Sequence, residues 1–289
     1  MNDYFIIVDK PAGWTSHDVV AKMRGVFKTR RIGHGGTLDP MATGVLILGI
    51  NRATKLLSYV AGTEKEYRAT IRFGAATVTD DAEGEVTETI SAKHLDRETV
   101  EAAIKKYRGT FDQVPSAISA VKIKGQTAYK RVRAGEEVEI PARTISVREF
   151  ELMDFRPVAD FVDVDVRVSC SSGTYIRALA RDLGRDLEVG GHLTALRRTR
   201  VGQFEIGQAQ TVAEVEKQAN RISLADMGAR LFAKMVVDEQ TARAVRNGQR
   251  LNLGNLIGLT AVFDESGGLL AVYEPMLDLA KPVVVFAGD

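Results

Sequence analysis

The stretch "GHGGTLDPMATGVLILG", residues 33–49, places one carboxylate, Asp39, among three glycines and a histidine, just ahead of an apolar run. An Asp-Pro pair is ordinary turn chemistry, in which the carboxylate accepts backbone N–H bonds. A turn does not need His34, Thr37 and three glycines around it, however. Glycines let a flat ligand come close to the backbone, and a carboxylate held in such a pocket can attack or deprotonate it. Asp39 is therefore the first candidate for chemistry.

Other constellations are poorer. His17, His34, His94 and His192 are scattered, with no HxxxH or CxxC spacing for a metal. Ser16-His17-Asp18 spells the letters of a hydrolase triad, but three consecutive side chains cannot converge on one proton path, and a helix cap explains them better. Residues 33–36 lack the Lys-Ser/Thr ending of a phosphate-binding loop, and no GxGxxG follows a strand. Basic residues gather in "SAVKIKGQTAYKRVRA" (119–134), which carries Lys130, Arg131 and Arg133 beside Tyr129 and holds no acid. LRRTR (196–200) and KTRR (28–31) add two more clusters. Such clusters read either as phosphate-facing surface with an aromatic for stacking or as solvated faces balanced by acids elsewhere.

The elements that must position these residues are legible in outline. Residues 4–8 read as a short buried strand closed by a turn at 10–13, and Thr15 or Ser16 caps a helix with Val20, Met23 and Phe27 on one face. Strands are expected at 44–50, 65–73, 144–155, 161–170 and near 195–204. Helices are expected around 53–60, 96–107 and 174–186, the last burying Ile176, Leu179, Ala180 and Leu183. This mixture predicts an α+β fold on a mixed, largely antiparallel sheet. Past about residue 230 come a short helix in "RAVRNGQRL", a hairpin through residues 264–268 and the strand "KPVVVF". The division expected is 1–230 and a small, mostly β module at 231–289.

Composition bounds the rest. The chain has 289 residues, 45% hydrophobic and 27% charged, with a net charge of +1, so any nucleic-acid affinity has to come from patches. The single cysteine, Cys170, excludes an internal disulfide and points to a reducing, cytoplasmic setting. The apolar runs are too short for a signal peptide or a membrane span.

Taken together, these residues carry a resemblance. "GHGGTLDPMATGVL" resembles the catalytic-aspartate motif of the TruB family of tRNA pseudouridine synthases. "VDKPAGWTSHDVV" (8–20), "EYRATIRFG" (66–74), "TVTDDAEG" (77–84), "CSSGTYIRALARDLG" (170–184) and "GGHLTALRRTRVGQF" (190–204) resemble further segments of that family, in the same order. "QVPSAISAVK" departs from it, with Ser116 and Ile118 where the family shows a second proline and an aromatic.

The resemblance implies a reaction that cleaves the uridine N1–C1′ bond, turns the base and rejoins it through C5, with no cofactor or metal. Asp39 would be the carboxylate of that reaction, by attack at C1′, attack at C6 or elimination to a glycal. Tyr67 would stack on the base and could take the C5 proton. Arg177 would pair with Asp39, and Tyr175 and Leu196 would line the uracil pocket. His34 would sit beside the space left by a base flipped out of the tRNA T-arm, at position 55. Lys10 would be mainly structural. Residues 119–143 would form an RNA-pinching loop, with Lys130 and Arg131 on the RNA, and the last module would be PUA-like. A monomer acting on tRNA without an obligate protein partner is the expectation. Two other readings are a tRNA-folding chaperone with incidental catalysis and a catalytic subunit guided by a small RNA.

Overall fold

The computed structural model describes residues 3–116, 122–123, 126–127, 140–254 and 256–286. Its first strand, β1 (Tyr4–Lys10), is apolar along most of its length because it is covered on both faces. Phe5 and Ile7 enter one apolar cluster, and Tyr4, Ile6 and Val8 enter another on the opposite side. Helix α1 (Ser16–Phe27) follows, opened by a capping box in which Thr15 and Asp18 satisfy each other's backbone N–H groups. The Ser-His-Asp triplet is therefore the first turn of a helix. Next come β2 (Ile32–His34) and β3 (Thr43–Ile50). The expected helix at 53–60 begins as a 3₁₀ turn, Asn51–Leu56, and continues as α2 (Leu57–Gly62).

The second half is built on β4 (Lys65–Phe73), whose period-two pattern turns Lys65, Tyr67, Ala69, Ile71 and Phe73 inward. A small hairpin, β5 (Ala75–Thr77) with β6 (Val86–Thr89), frames the loop between them. Helix α3 (Arg97–Lys105), capped by Asp96, leads to β7 (Gly109–Gln113). Beyond it lie the short ladder of β8 (Lys122–Ile123) and β9 (Gln126–Thr127), then β10 (Arg143–Val158) and β11 (Phe161–Cys170). Helix α4 (Ile176–Asp186) and β12 (Gly191–Val201) complete the body. Val100 and Ile104 of α3 and Leu179 and Leu183 of α4 bury the inner face of this half.

Among the described residues the main sheet has eleven strands, and its backbone order runs Gln210–Thr211, β1, β3, β12, β4, β11, β10, β7. Most neighbours are antiparallel, as expected of this α+β fold. The seam between β3 and β12 is parallel and short, with Arg197 opposite Thr43 and Arg198 opposite Gly44. Gly44 has a φ of +104°, and a Cβ there would lie 2.2 Å from the Arg198 carbonyl oxygen, so the seam closes only on glycine. The loop bearing Asp39 leads into β3, and α4 leads into β12. Both therefore deliver their residues to this seam.

A four-stranded sheet of Ala233–Val236, Thr260–Phe263, Leu269–Met276 and Leu279–Val285 follows. The expected hairpin turn is present, with Asp264 accepting from the Gly268 N–H (2.8 Å). The helix lies earlier than "RAVRNGQRL" implies, at Glu239–Arg246, because Asp238 caps it and Gly248 ends its turn at φ +68°. Phe263, Leu269, Val272 and Phe286 share one apolar cluster with Phe5, Ile7, Val45 and Ile47. Arg52 Nη1 donates to the Phe286 carbonyl (2.6 Å) and Lys55 Nζ to that of Val285 (2.8 Å).

Candidate active site

The Asp39 loop is fastened from both flanks by groups that leave its carboxylate untouched. On one side, the buried Lys10 ammonium donates to the carbonyls of Pro11 (3.0 Å), Trp14 and Pro40 (3.1 Å). Ser16 Oγ donates to the Leu38 carbonyl (3.2 Å) and accepts from the Leu38 N–H (2.9 Å), and the Gly13 N–H donates to the Pro40 carbonyl (2.9 Å). On the other side, Arg198 is 1% exposed and donates to the carbonyls of Val45 (2.8 Å), Gly36 (3.0 Å) and Thr37 (3.3 Å). The "KPAGWTS" segment and β12 thus hold the loop as two jaws. Lys10 is structural, through carbonyls rather than an ion pair.

Asp39 projects into a cavity of about 390 Å³, within the roughly 300–1,000 Å³ range of small-molecule pockets. Its Oδ2 lies 3.0 Å from Arg177 Nε. Arg177 is buried, and its Nη1 also meets Asp81 Oδ2 at 3.3 Å and donates to the Thr79 carbonyl at 2.9 Å. The guanidinium therefore bridges two carboxylates and is aimed by both. Asp81 is itself fixed, accepting from Thr79 Oγ1 and from the Glu83 N–H. Tyr67, Leu196, Tyr175, Ile176, Lys65 and Arg198 supply further wall. Burial pushes the Tyr67 phenol up, with Arg198 opposing, so it is neutral near pH 7. A carboxylate paired with a buried arginine beside aromatic and aliphatic walls suits nucleophilic or proton-transfer chemistry on a flat, polar-edged ligand. Among the described residues no group of His, Cys, Asp or Glu is arranged to hold a metal ion.

Lys65 is 6% exposed and donates to the carbonyls of Ala61 and Thr63 (2.6 Å). Desolvation, reinforced by Arg198, brings its ammonium down to about 8 from an ordinary 10.5. Between those values the unfolded chain holds a proton that the folded chain has lost, so stability rises with pH in that window. Wild type should gain about 2 kcal/mol over Lys65→Met in unfolding free energy from about pH 8 to about pH 10. Parallel curves from urea titrations would show that Lys65 carries no such shift.

Of the residues singled out from the sequence, the cavity brings together Asp39, Tyr67, Tyr175, Arg177 and Leu196. His34 lies outside its wall. The His34 ring meets His17 edge-on at 5.4 Å, its Nδ1 is buried without a partner among the described residues, and burial lowers its pKa. Lys130, Arg131 and Arg133 lie outside the described residues. In the LRRTR cluster Arg198 points inward to the Asp39 loop, Arg197 pairs with Asp9 at 2.7 Å, and Arg200 Nη1 donates to the Gly202 carbonyl (3.0 Å). Lys65, Asp81 and Arg198 are the site residues that sequence reasoning missed. Alternation along β4 was the available signal for Lys65, two positions before Tyr67 on the same face.

Three family profiles match consecutive parts of the chain. TruB family pseudouridylate synthase (N terminal domain) matches residues 24–176, tRNA pseudouridylate synthase B C-terminal domain residues 177–231, and tRNA Pseudouridine synthase II, C terminal, residues 232–287. The chain is 53% identical to tRNA pseudouridine synthase B of Thermobifida fusca (strain YX), over 100% of both chains. It is also 53% identical to tRNA pseudouridine synthase B of Streptomyces coelicolor, over 98% of this chain and 97% of that one. Among solved structures, an H/ACA RNP bound to a substrate RNA containing 2'-deoxyuridine has a chain of the same fold. It aligns with a TM-score of 0.74 at 23% identity, covering 99% of this chain and 85% of that one.

Proposed function

The chain belongs to the TruB family of tRNA pseudouridine synthases, and on that premise we propose that it converts uridine 55 in the T-loop of tRNA to pseudouridine, with Asp39 as the initiating group. The observation that carries this reading is the Asp39 carboxylate, ion-paired at 3.0 Å to a buried arginine in a cavity walled by Tyr67, Tyr175 and Leu196. A uridine inside a folded arm must leave its stack to reach such a site. Once flipped, the base lies against Tyr67, with Leu196 and Tyr175 excluding water. Arg177 pairs with Asp39 and aims it while the N1–C1′ bond breaks and C5 takes its place. His34, beside the neighbouring turn, supports the rearranged RNA loop. The reaction is an isomerisation: the N1–C1′ bond breaks and the C5–C1′ bond forms, the C5 proton is lost to water, and N1 takes a proton from water in its place.

The test is tritium release from a T-arm transcript labelled at uracil C5. Release at position 55 supports the reading. RNA binding without release overturns it. Residues 119–134 are proposed to grip the phosphates of that arm. Neutralising Lys130, Arg131 and Arg133 together should then reduce the slope of log affinity against log salt by about 2 while leaving the single-turnover rate of bound RNA unchanged. An unchanged slope would remove this segment from the interface.

A further inference from the structure

Gln113, the last residue of β7, is 2% exposed, and its side chain does what a neighbouring strand would do. Nε2 donates to the Tyr175 carbonyl (3.0 Å), and Oε1 accepts from the Tyr175 N–H (2.9 Å). Both backbone groups of one residue are thus held by one amide. Tyr175 is kept extended, at φ −101° and ψ 108°, immediately before α4, and no side chain caps that helix. Two residues further on is Arg177.

A second contact comes from the same stretch. The Val114 carbonyl accepts from Arg181 Nη2 (2.8 Å), and Arg181 Nη1 meets Asp80 at 3.3 Å. Asp80 adjoins Asp81, the second carboxylate on Arg177. Residues 113–114 therefore hold the start of α4 directly and reach the loop at 79–81 through Arg181. They also lie directly before the 119–134 segment.

We infer that Gln113 is a positioning residue for the isomerisation. It sets the backbone of Tyr175, and through it the aim of Arg177 at Asp39. This inference rests on the function proposed above. Gln113 does not line the cavity; it acts through the backbone of Tyr175.

The experiment compares full-length wild type with Gln113→Ala and Gln113→Glu, measuring single-turnover tritium release at saturating T-arm RNA, RNA affinity and thermal unfolding. Both variants should slow the chemical step by about 30-fold, two hydrogen bonds' worth of aim, with RNA affinity within about twofold of wild type. At neutral pH the carboxylate of Gln113→Glu accepts from the Tyr175 N–H but opposes the Tyr175 carbonyl, whereas a protonated carboxyl restores both bonds. The rate of Gln113→Glu relative to wild type should therefore climb at least about fivefold from about pH 8 to about pH 5.5, and the Gln113→Ala ratio should stay flat. Arg143 opposite Gln113 in the β7–β10 register, Arg181 and Asp80 are common to all three proteins, and dividing each variant's rate by that of wild type removes their shared contribution. Wild-type turnover with Gln113→Ala within about twofold of it overturns the inference alone. So does a rate loss that follows thermal stability or RNA affinity with no recovery at low pH, which would make Gln113 merely structural. A wild type that releases no tritium overturns the underlying functional reading instead.

Discussion

Asp39→Asn is expected to lose at least about 10⁴-fold in single-turnover tritium release while binding T-arm RNA within about threefold of wild type. The substitution keeps the side-chain volume, and an amide oxygen can still accept from Arg177 Nε. The loop is held by Lys10, Ser16 and Arg198 through its backbone carbonyls and the Leu38 N–H, none of which involves the Asp39 side chain. Fold and RNA contacts should therefore survive. What disappears is a negative charge in a cavity that was shaped to present one. Tritium release beside filter binding checks both halves. A rate within about tenfold of wild type, or a collapse in affinity, would reassign Asp39 to the architecture of its turn.

Arg177→Ala should be costly in two ways at once. The Arg177 side chain is 6% exposed and that of Asp81 3%, so the substitution strands a buried carboxylate without its cation. Removing one partner of such a pair costs about 3–5 kcal/mol of stability. Asp39 also loses its aim, and turnover should fall by about 10³-fold. Arg177→Lys separates the two effects. An ammonium is a point charge that can neutralise Asp81 or steer Asp39, but it lacks the fork that spans both. Thermal unfolding should recover most of the way to wild type, with turnover still down by about 10²-fold. Recovery of rate together with stability would show that bridging plays no part.

Asp39 was legible because its surroundings exceeded the needs of a turn, and Tyr67 because β4 alternates cleanly. The charges that support them were not. Arg198 and Lys65 are cations on inward-facing positions, where alternation alone predicts apolar residues; the carbonyls that hold Arg198 lie more than 150 positions away, and those that hold Lys65 belong to the turn just before β4. Asp81 reads as one more acid in a polar loop until Arg177 arrives from another element. The expected strand near 195–204 starts at Gly191, because register shifts between Leu193 and Ala195 and between Arg198 and Arg200 break the period-two pattern. The helix expected from 174 begins at Ile176, since Gln113, from a strand more than sixty positions earlier, holds Tyr175 out of it. Local preference specified the kind of element in each case, and long-range hydrogen bonds specified its ends.

The stitch between Arg52 and Phe286 joins positions 234 apart in the sequence. Synthesis proceeds from the N-terminus, so Phe5, Ile7, Val45 and Ile47 leave the ribosome long before Phe263, Leu269, Val272 and Phe286 arrive to cover them. Until residues 263–286 have been added, that face of β1 and β3 is covered only in part, by residues such as Leu56, Val60, Phe204 and Met227. A chain cut short before residue 263 therefore holds every residue of the proposed site and leaves part of a sheet face bare for aggregation or chaperone capture.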